Sequence, residues 1–260
     1  MAQRERRPKY TTADRIARAH SLKDEGLLDD AIAELRKALR ASAEKSRIYR
    51  EMAVLFKSHH RLDEALRAAR RAVKADTNDP ESRELLISIL LEMHRCDEAI
   101  EESKDLIALS VNSIAARDAL STAYLQKGML SKAIRVVNEL ISLDPSSPEN
   151  HFRKAILHHQ KGDVSSAMQE FCRVLEMAPG GQMEQDAEQA VRALDTYQLR
   201  SIITLAVEDY IFRTKLIRDP TAATLERGFY LSYTGMAALS HIRFEDLGDI
   251  YPDTGQRHYH

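Results

Sequence analysis

Tryptophan is absent from the 260 residues, aromatics make up 6% of them, and there are only 9 glycines and 7 prolines. Sheets of short strands draw on β-branched and aromatic residues and on frequent turn residues, so this scarcity argues against an all-β fold. Two cysteines, Cys96 and Cys172, are too few and too far apart for a disulfide framework, and neither sits in a CxxC or Cys/His metal spacing. They fit a reducing, cytoplasmic compartment. The longest apolar run, LLISILL from Leu85 to Leu91, falls far short of the ~20 residues a spanning helix needs, so no membrane insertion is expected. The opening MAQRERRPKY is basic but has no apolar stretch behind it, unlike a secretory signal. Phosphate-cradling GxGxxG and GxxxxGKS/T loops, a GxSxG elbow and HExxH are all missing. Catalysis therefore has no visible foothold, and no enzyme, cofactor or metal is expected.

The net charge of −2 gives no global signal for nucleic acid. The charge is unevenly spread: residues 1–80 hold 19 Lys or Arg against 13 Asp or Glu, and residues 81–260 hold 19 against 27. An RNA-binding repeat would need a continuous basic stripe, which the acidic remainder of the chain lacks. What is abundant is Ala, Leu, Glu, Lys and Arg, the best helix formers, and 43% of the residues are hydrophobic. An all-α protein with ample core is expected.

One phrase recurs five times: LLDDAIAELRKAL, RLDEALRAARRAV, RCDEAIEESKDLI, MLSKAIRVVNELI and DVSSAMQEFCRVL. Its central alanines, Ala31, Ala65, Ala99, Ala133 and Ala167, fall 34 residues apart each time. A fixed period of that length marks a solenoid, in which each unit buries its apolar face on its neighbours. A second helical pattern precedes each phrase, so each unit reads as a helical hairpin. Twelve residues before the alanines stand Ala19, Ala53, Ile87, Ser121 and Ala155; seven after stand Ala38, Ala72, Leu106, Leu140 and Val174. Small residues at such contacts let two antiparallel helices approach closely. The turn carries Gly26, Gly128 or Gly162, where a left-handed residue ends a helix, with His60 and His94 in the other two units. Pro80 and Pro148 suit helix starts, and Pro145 and Pro179 suit helix ends.

The period, the small residue in the first helix, the GxxxxA turn and the closing proline resemble the tetratricopeptide repeat family, from Thr12 to Pro179. The resemblance implies a right-handed superhelical solenoid of helix-turn-helix repeats with a C-terminal helical extension. The family's frequent tryptophan at the fourth position is replaced here by Arg15, Tyr49, Arg83, Arg117 and His151, and Arg18 stands where a large hydrophobe is usual, so the first helix is expected to fray. By organisation, residues 12–181 are five repeats, 182–218 capping helices and 219–250 a small helical module; 1–11 and 251–260 are flexible tails. The stretch from Phe212 to Leu239 resembles a module of leader-like segments in bacterial ribosomally made peptides and of small dioxygenase subunits. That implies a docking element in which Phe212, Leu216, Asp219, Pro220, Gly228 and Phe229 are structural. Ser232 is a candidate cap for the helix that follows.

His59, His60, His94 and Cys96 lie at turns and read as solvated; His151 and His158 occupy packing positions and read as hydrogen-bonded core histidines. Glu84 and Asp118 read as carboxylates on a helix face, with no nucleophile beside them. The family's groove positions, carried over, give Arg47, Arg50 and Lys57 from the second unit, Glu81, Glu84, Ser88 and Glu92 from the third, and Asp118, Thr122 and Gln126 from the fourth. A basic patch thus meets an acidic band. The expected function is a non-enzymatic scaffold whose groove binds a peptide or partner protein, one whose acidic segment would meet Arg47, Arg50 and Lys57. A chaperone or adaptor in bacterial secretion or cell-surface assembly is the alternative. Self-association is open wherever the apolar end of the fifth unit is uncovered.

Overall fold

A computed structural model of the chain describes residues 11–177 and 179–246. The tails expected at 1–11 and 251–260, Thr11 excepted, and the last four residues of the 219–250 module lie outside that description. Among the described residues there are helices and turns but no strand. The chain divides into two compact units, Met1–Val136 and Val137–His260, with the boundary inside one helix.

The first unit holds α1 (Thr12–Asp24), α2 (Leu28–Ala41), α3 (Lys45–Ser58), α4 (Leu62–Ala75), α5 (Pro80–Glu92), α6 (Cys96–Leu109), α7 (Ile114–Gln126) and the first half of α8 (Leu130–Leu143). The pairs α1 and α2, α3 and α4, and α5 and α6 form hairpins, and the first helices of successive units also pack side by side: α1 on α3, α3 on α5, α5 on α7. The cause is the recurring small residue. Ala31, Ala65, Ala99 and Ala133 have no exposed surface, and neither do Ala19, Ala53, Ala38, Ala72 and Leu106. A larger side chain at those contacts would hold the helices apart.

Helix starts follow local chemistry. The Thr11 hydroxyl accepts the Asp14 amide at 3.1 Å while the Asp14 carboxylate accepts the Thr11 amide at 2.8 Å, closing a reciprocal cap on α1. With that cap in place α1 is helical from Thr12 onward, and Arg18 is simply exposed; the expected fraying is not seen. Asp79 caps α5 with Pro80 behind it, and Ser113 caps α7. In the turns, His60 and His94 adopt φ of 57° and 55°, the left-handed conformation that Gly26 and Gly128 take at the equivalent places.

Three of the residues that replace the family's tryptophan share one device. Arg15 reaches Glu34 at 3.1 Å, Arg83 reaches Glu102, and in the second unit His151 reaches Glu170 at 2.7 Å, always 19 residues along the chain. Arg83 and His151 are buried in doing so. A paired charge thus fills a slot between the two helices of a hairpin.

The second unit contains the rest of α8, then α9 (Pro148–Gln160), α10 (Val164–Met177), α11 (Gln182–Glu208), α12 (Tyr210–Arg218), α13 (Pro220–Glu226) and α14 (Tyr233–Ser240). Gly180 and Gly181, both with positive φ, break the chain before α11. The apolar stripe of α11, Ala187, Val191 and Leu194, lies against Met168, Phe171 and Val174 of α10. Its far half, Ile202 and Ala206, shares a second core with Phe212, Leu216, Ala223, Leu231, Leu239 and Phe244. Asp209 ends α11 and caps α12 through the Phe212 amide, 2.9 Å away. Every residue singled out in the small module serves the fold. Phe212 and Leu216 are buried, Asp219 caps α13, Pro220 begins it, Gly228 turns with φ 77°, and Phe229 packs on the core. Ser232 caps α14, as its place in the sequence suggests.

Two side chains of α11 hold the segment before α14. The Gln198 amide donates to the Tyr230 carbonyl at 2.7 Å and accepts the Tyr230 amide at 2.8 Å, as a neighbouring backbone would. Buried Asp195 accepts from the Ser232 amide at 2.9 Å and from the Ser232 hydroxyl.

Candidate functional site

The candidate groove lies along the faces that α3, α5 and α7 share within the first unit. On α3, Arg50 and Lys57 are two turns apart and point the same way. Neither projects as a free cation. Arg50 meets Asp79 at 2.9 Å and Glu81 at 2.8 Å, and Lys57 meets the Ser88 hydroxyl at 3.0 Å and Glu92 at 3.6 Å. Arg47 pairs with Glu44 of the same segment at 3.3 Å. The basic patch and the acidic band are therefore bonded to each other, and Arg50 and Lys57 act first as ties from α3 to α5.

Asp79 anchors this network. Burial pushes its carboxyl up, but hydrogen bonds from Ser82 and Ser46 and the Arg50 guanidinium outweigh that and hold it below the usual carboxylate range. Asp79 is not among the groove positions read from the sequence, since it precedes α5 and caps it. The other ties between successive hairpins do share an interval: Arg50 to Glu81, Lys57 to Ser88 and His20 to Glu51 are each 31 residues apart, three short of the repeat, whereas Arg50 to Asp79 is 29.

Beyond the ties, α5 and α7 enclose a pocket of about 210 Å³. Glu84, Ser88, Asp118 and Thr122 line it, so the structure brings together four of the ten groove residues read from the sequence. Its floor is apolar, made by Leu91, a groove position of the third unit, and by Ile87 and Leu106, which the sequence places at the packing contact between helices. The Ser88 and Thr122 hydroxyls bond backwards to the carbonyls of Leu85 and Asp118, at 2.8 and 2.9 Å. Gln126 stands at the far end of α7, where its amide donates to the Leu91 carbonyl at 3.4 Å and its oxygen faces the Cys96 thiol at 3.2 Å. Glu84 is exposed and makes no ion pair among the described residues. The pocket that results is acidic at the rim and apolar at the base.

Among the described residues no three His, Cys, Asp or Glu side chains cluster so as to hold a metal ion. His151 and His158 are engaged with Glu170 and with Asp163, the latter at 3.0 Å. Burial, then the charges of Asp195 and Glu176, push the Cys172 thiol up, away from the reactive thiolate. Among the described residues no helix is long and apolar enough to cross a membrane.

The tetratricopeptide repeat family model matches residues 16–80 and 119–182. No curated protein matches the chain. Among solved structures, YrrB, a tetratricopeptide repeat protein with an unusual peptide-binding site, superposes with a TM-score of 0.56 at 17% identity, covering 68% of this chain and 92% of that one. MamA from Desulfovibrio magneticus RS-1 gives 0.57 at 17%, over 64% and 94% of the two chains. TTC0263, a thermophilic tetratricopeptide repeat protein in Thermus thermophilus, gives 0.51 at 16%, over 69% and 98%. Likeness at these identities speaks for the fold, and the fold agrees with the buried alanine register: the chain belongs to the tetratricopeptide repeat family.

Proposed function

We propose that the chain is a non-enzymatic interaction scaffold whose α5/α7 pocket receives a side chain from a peptide or partner protein lying along the groove. The observation that carries this is the pocket itself, an apolar floor of Ile87, Leu91 and Leu106 beneath Glu84 and Asp118. An apolar base with a few convergent polar groups is the usual make-up of a recognition pocket. Because Arg47, Arg50 and Lys57 are already matched by Glu44, Asp79, Glu81 and Glu92, the charge that Glu84 leaves to a partner is negative. A basic segment carrying an apolar side chain fits this pocket better than the acidic segment first expected. In this reading the three cations, with Glu81 and Glu92, brace the groove, and Gln126 closes its end. The two free thiols, Cys96 and Cys172, suit a reducing cytoplasmic setting.

The test is fluorescence anisotropy with a labelled peptide of alternating lysine and leucine. Replacing Glu84 and Asp118 together by lysine should weaken its binding about tenfold and flatten the dependence on salt, with the helical melt in place. Equal affinity in that variant would end the proposal for this pocket.

A further inference from the structure

A second pocket of the first unit, about 200 Å³, is built from α2, α3 and α4 and shares none of the ten groove residues. Each helix contributes one stripe. Tyr49, Met52 and Phe56 follow the i, i+3, i+7 spacing of a single face of α3, more than a quarter turn round the helix from Arg50 and Lys57. Arg67 and Arg71 are neighbours at i, i+4 on α4, and Arg36 stands three before Leu39 on α2. The floor is apolar, since Met52 and Phe56 are buried; the rim is cationic, since all three arginines are exposed.

The contrast with the groove is decisive. There every cation has an anion; here Arg36 and Arg67 close no ion pair among the described residues, and Arg71 lies over the Tyr49 ring at 5.9 Å. The one carboxylate of the lining, Glu64, is held by Arg61. That hydrogen bond chiefly keeps its carboxyl below the usual range, and Arg67 and Arg36 add to the effect. The same pocket sits in the cation-rich first 80 residues.

The geometry points to a second recognition site, at which Arg36, Arg67 and Arg71 hold the carboxylates of an acidic peptide while one of its large apolar side chains rests on Met52 and Phe56. Guanidinium groups suit carboxylates, and an aromatic and aliphatic floor supplies the desolvated contact that charge alone lacks. A nucleic-acid backbone would need the row of cations to continue, but Arg70, the next in line, is paired with Glu98. The site goes beyond the groove reading and stands on different residues.

The experiment uses the full chain and a fluorescein-labelled acidic peptide with one central phenylalanine. Arg36→Glu with Arg67→Glu should weaken binding about tenfold or more, and alanine for the peptide's phenylalanine should weaken it comparably. Glu84→Gln with Asp118→Asn, in the groove, should leave binding within about twofold. Arg36→Gln with Arg67→Gln gives the same reading should the reversal disturb the melt. No binding by the parent protein, or equal binding by both arginine variants, would overturn the site. So would an oligonucleotide of equal charge binding more tightly, or sedimentation showing that the arginines serve only to join two copies of the chain. None of these results touches the groove, which is read by a basic peptide.

Discussion

His151 and Glu170 meet at 2.7 Å, Nδ1 to Oε2, and Lys154 closes on the other oxygen of the same carboxylate at 2.8 Å. His151 stands where the family often has tryptophan, so a hydrogen-bonded charge cluster does the space-filling that a large ring does elsewhere. The exchange has a thermodynamic signature, because a ring is indifferent to pH and a carboxylate is not.

Burial pushes the Glu170 carboxyl up, yet Lys154 and His151 together outweigh it and leave the group below its ordinary value. A carboxyl depressed in the folded state adds stability above its unfolded pKa, and that stability is lost as pH falls through the folded one. Glu170→Gln should therefore cost about 1–2 kcal/mol at pH 7. The deficit should shrink in acid, below the usual carboxylate range. Melts of both proteins at pH 7 and pH 3 decide the matter; a deficit that is the same at both would show that the charge contributes nothing.

His60 and His94 hold left-handed backbone at positions where the other hairpins have glycine. For a residue with a Cβ that conformation costs roughly 1–2 kcal/mol, offset in part by the freedom glycine adds to the unfolded chain. The cost is conformational, since a Cβ built at Gly26 or Gly128 meets nothing within 4 Å. His60→Gly and His94→Gly should each stabilise by about 0.5 kcal/mol, and both together by about twice that. Denaturant melts that move the other way would mean the imidazoles hold these turns by contacts of their own.

Gly235 lies in α14 against Asp195, and a Cβ there would fall inside contact distance of the carboxylate. That carboxylate is fixed by Ser232, so it has little room to yield. Gly235→Ala should cost about 1–3 kcal/mol. Hydrogen exchange should speed up in α13 and α14 while α1 to α7 stay protected, and Asp195→Ala, harmful alone, should be less harmful in combination. Strict additivity of the two substitutions would rule out the clash.

Ala99 has no exposed surface at the contact of α5 with α6. Ala99→Trp should overpack that hairpin and destabilise by more than about 1 kcal/mol. An unchanged cooperative melt would contradict the register on which the fold rests.

The repeat could be read from sequence because one packing problem is solved five times with the same residues. Ala31 and Ala167 are alike since each sits between the same two helix faces. The ion pairs were harder to see. Arg50 and Asp79 are ordinary surface residue types, and what joins them is which helix faces which, at an interval that is not the repeat itself. The candidate groove was legible only through the resemblance, which names Glu84, Ser88, Asp118 and Thr122, four residues that line one pocket, whereas the neutralisation of Arg50 and Lys57 depends on side chains that fold across from the next hairpin. In the C-terminal region nothing repeats. Asp195 and Ser232 are 37 residues apart, and Gln198 and Tyr230 are 32, so no period announces either bond.

The constant interval of 34 between buried alanines also restricts how this protein can change length. Excising residues 62–95 would join Arg61 to Cys96, two residues whose neighbours stand at the same phase of the hairpin, and would bring Ala99 to the place Ala65 leaves. Removing a few residues more or fewer would rotate every downstream helix about its own axis and present charged side chains to the alanine contact. Length can therefore be gained or lost only in whole hairpins, and each such edit removes or duplicates one set of pocket walls. The reach of the binding surface is in this sense a quantity that recombination between repeats can alter without any point substitution.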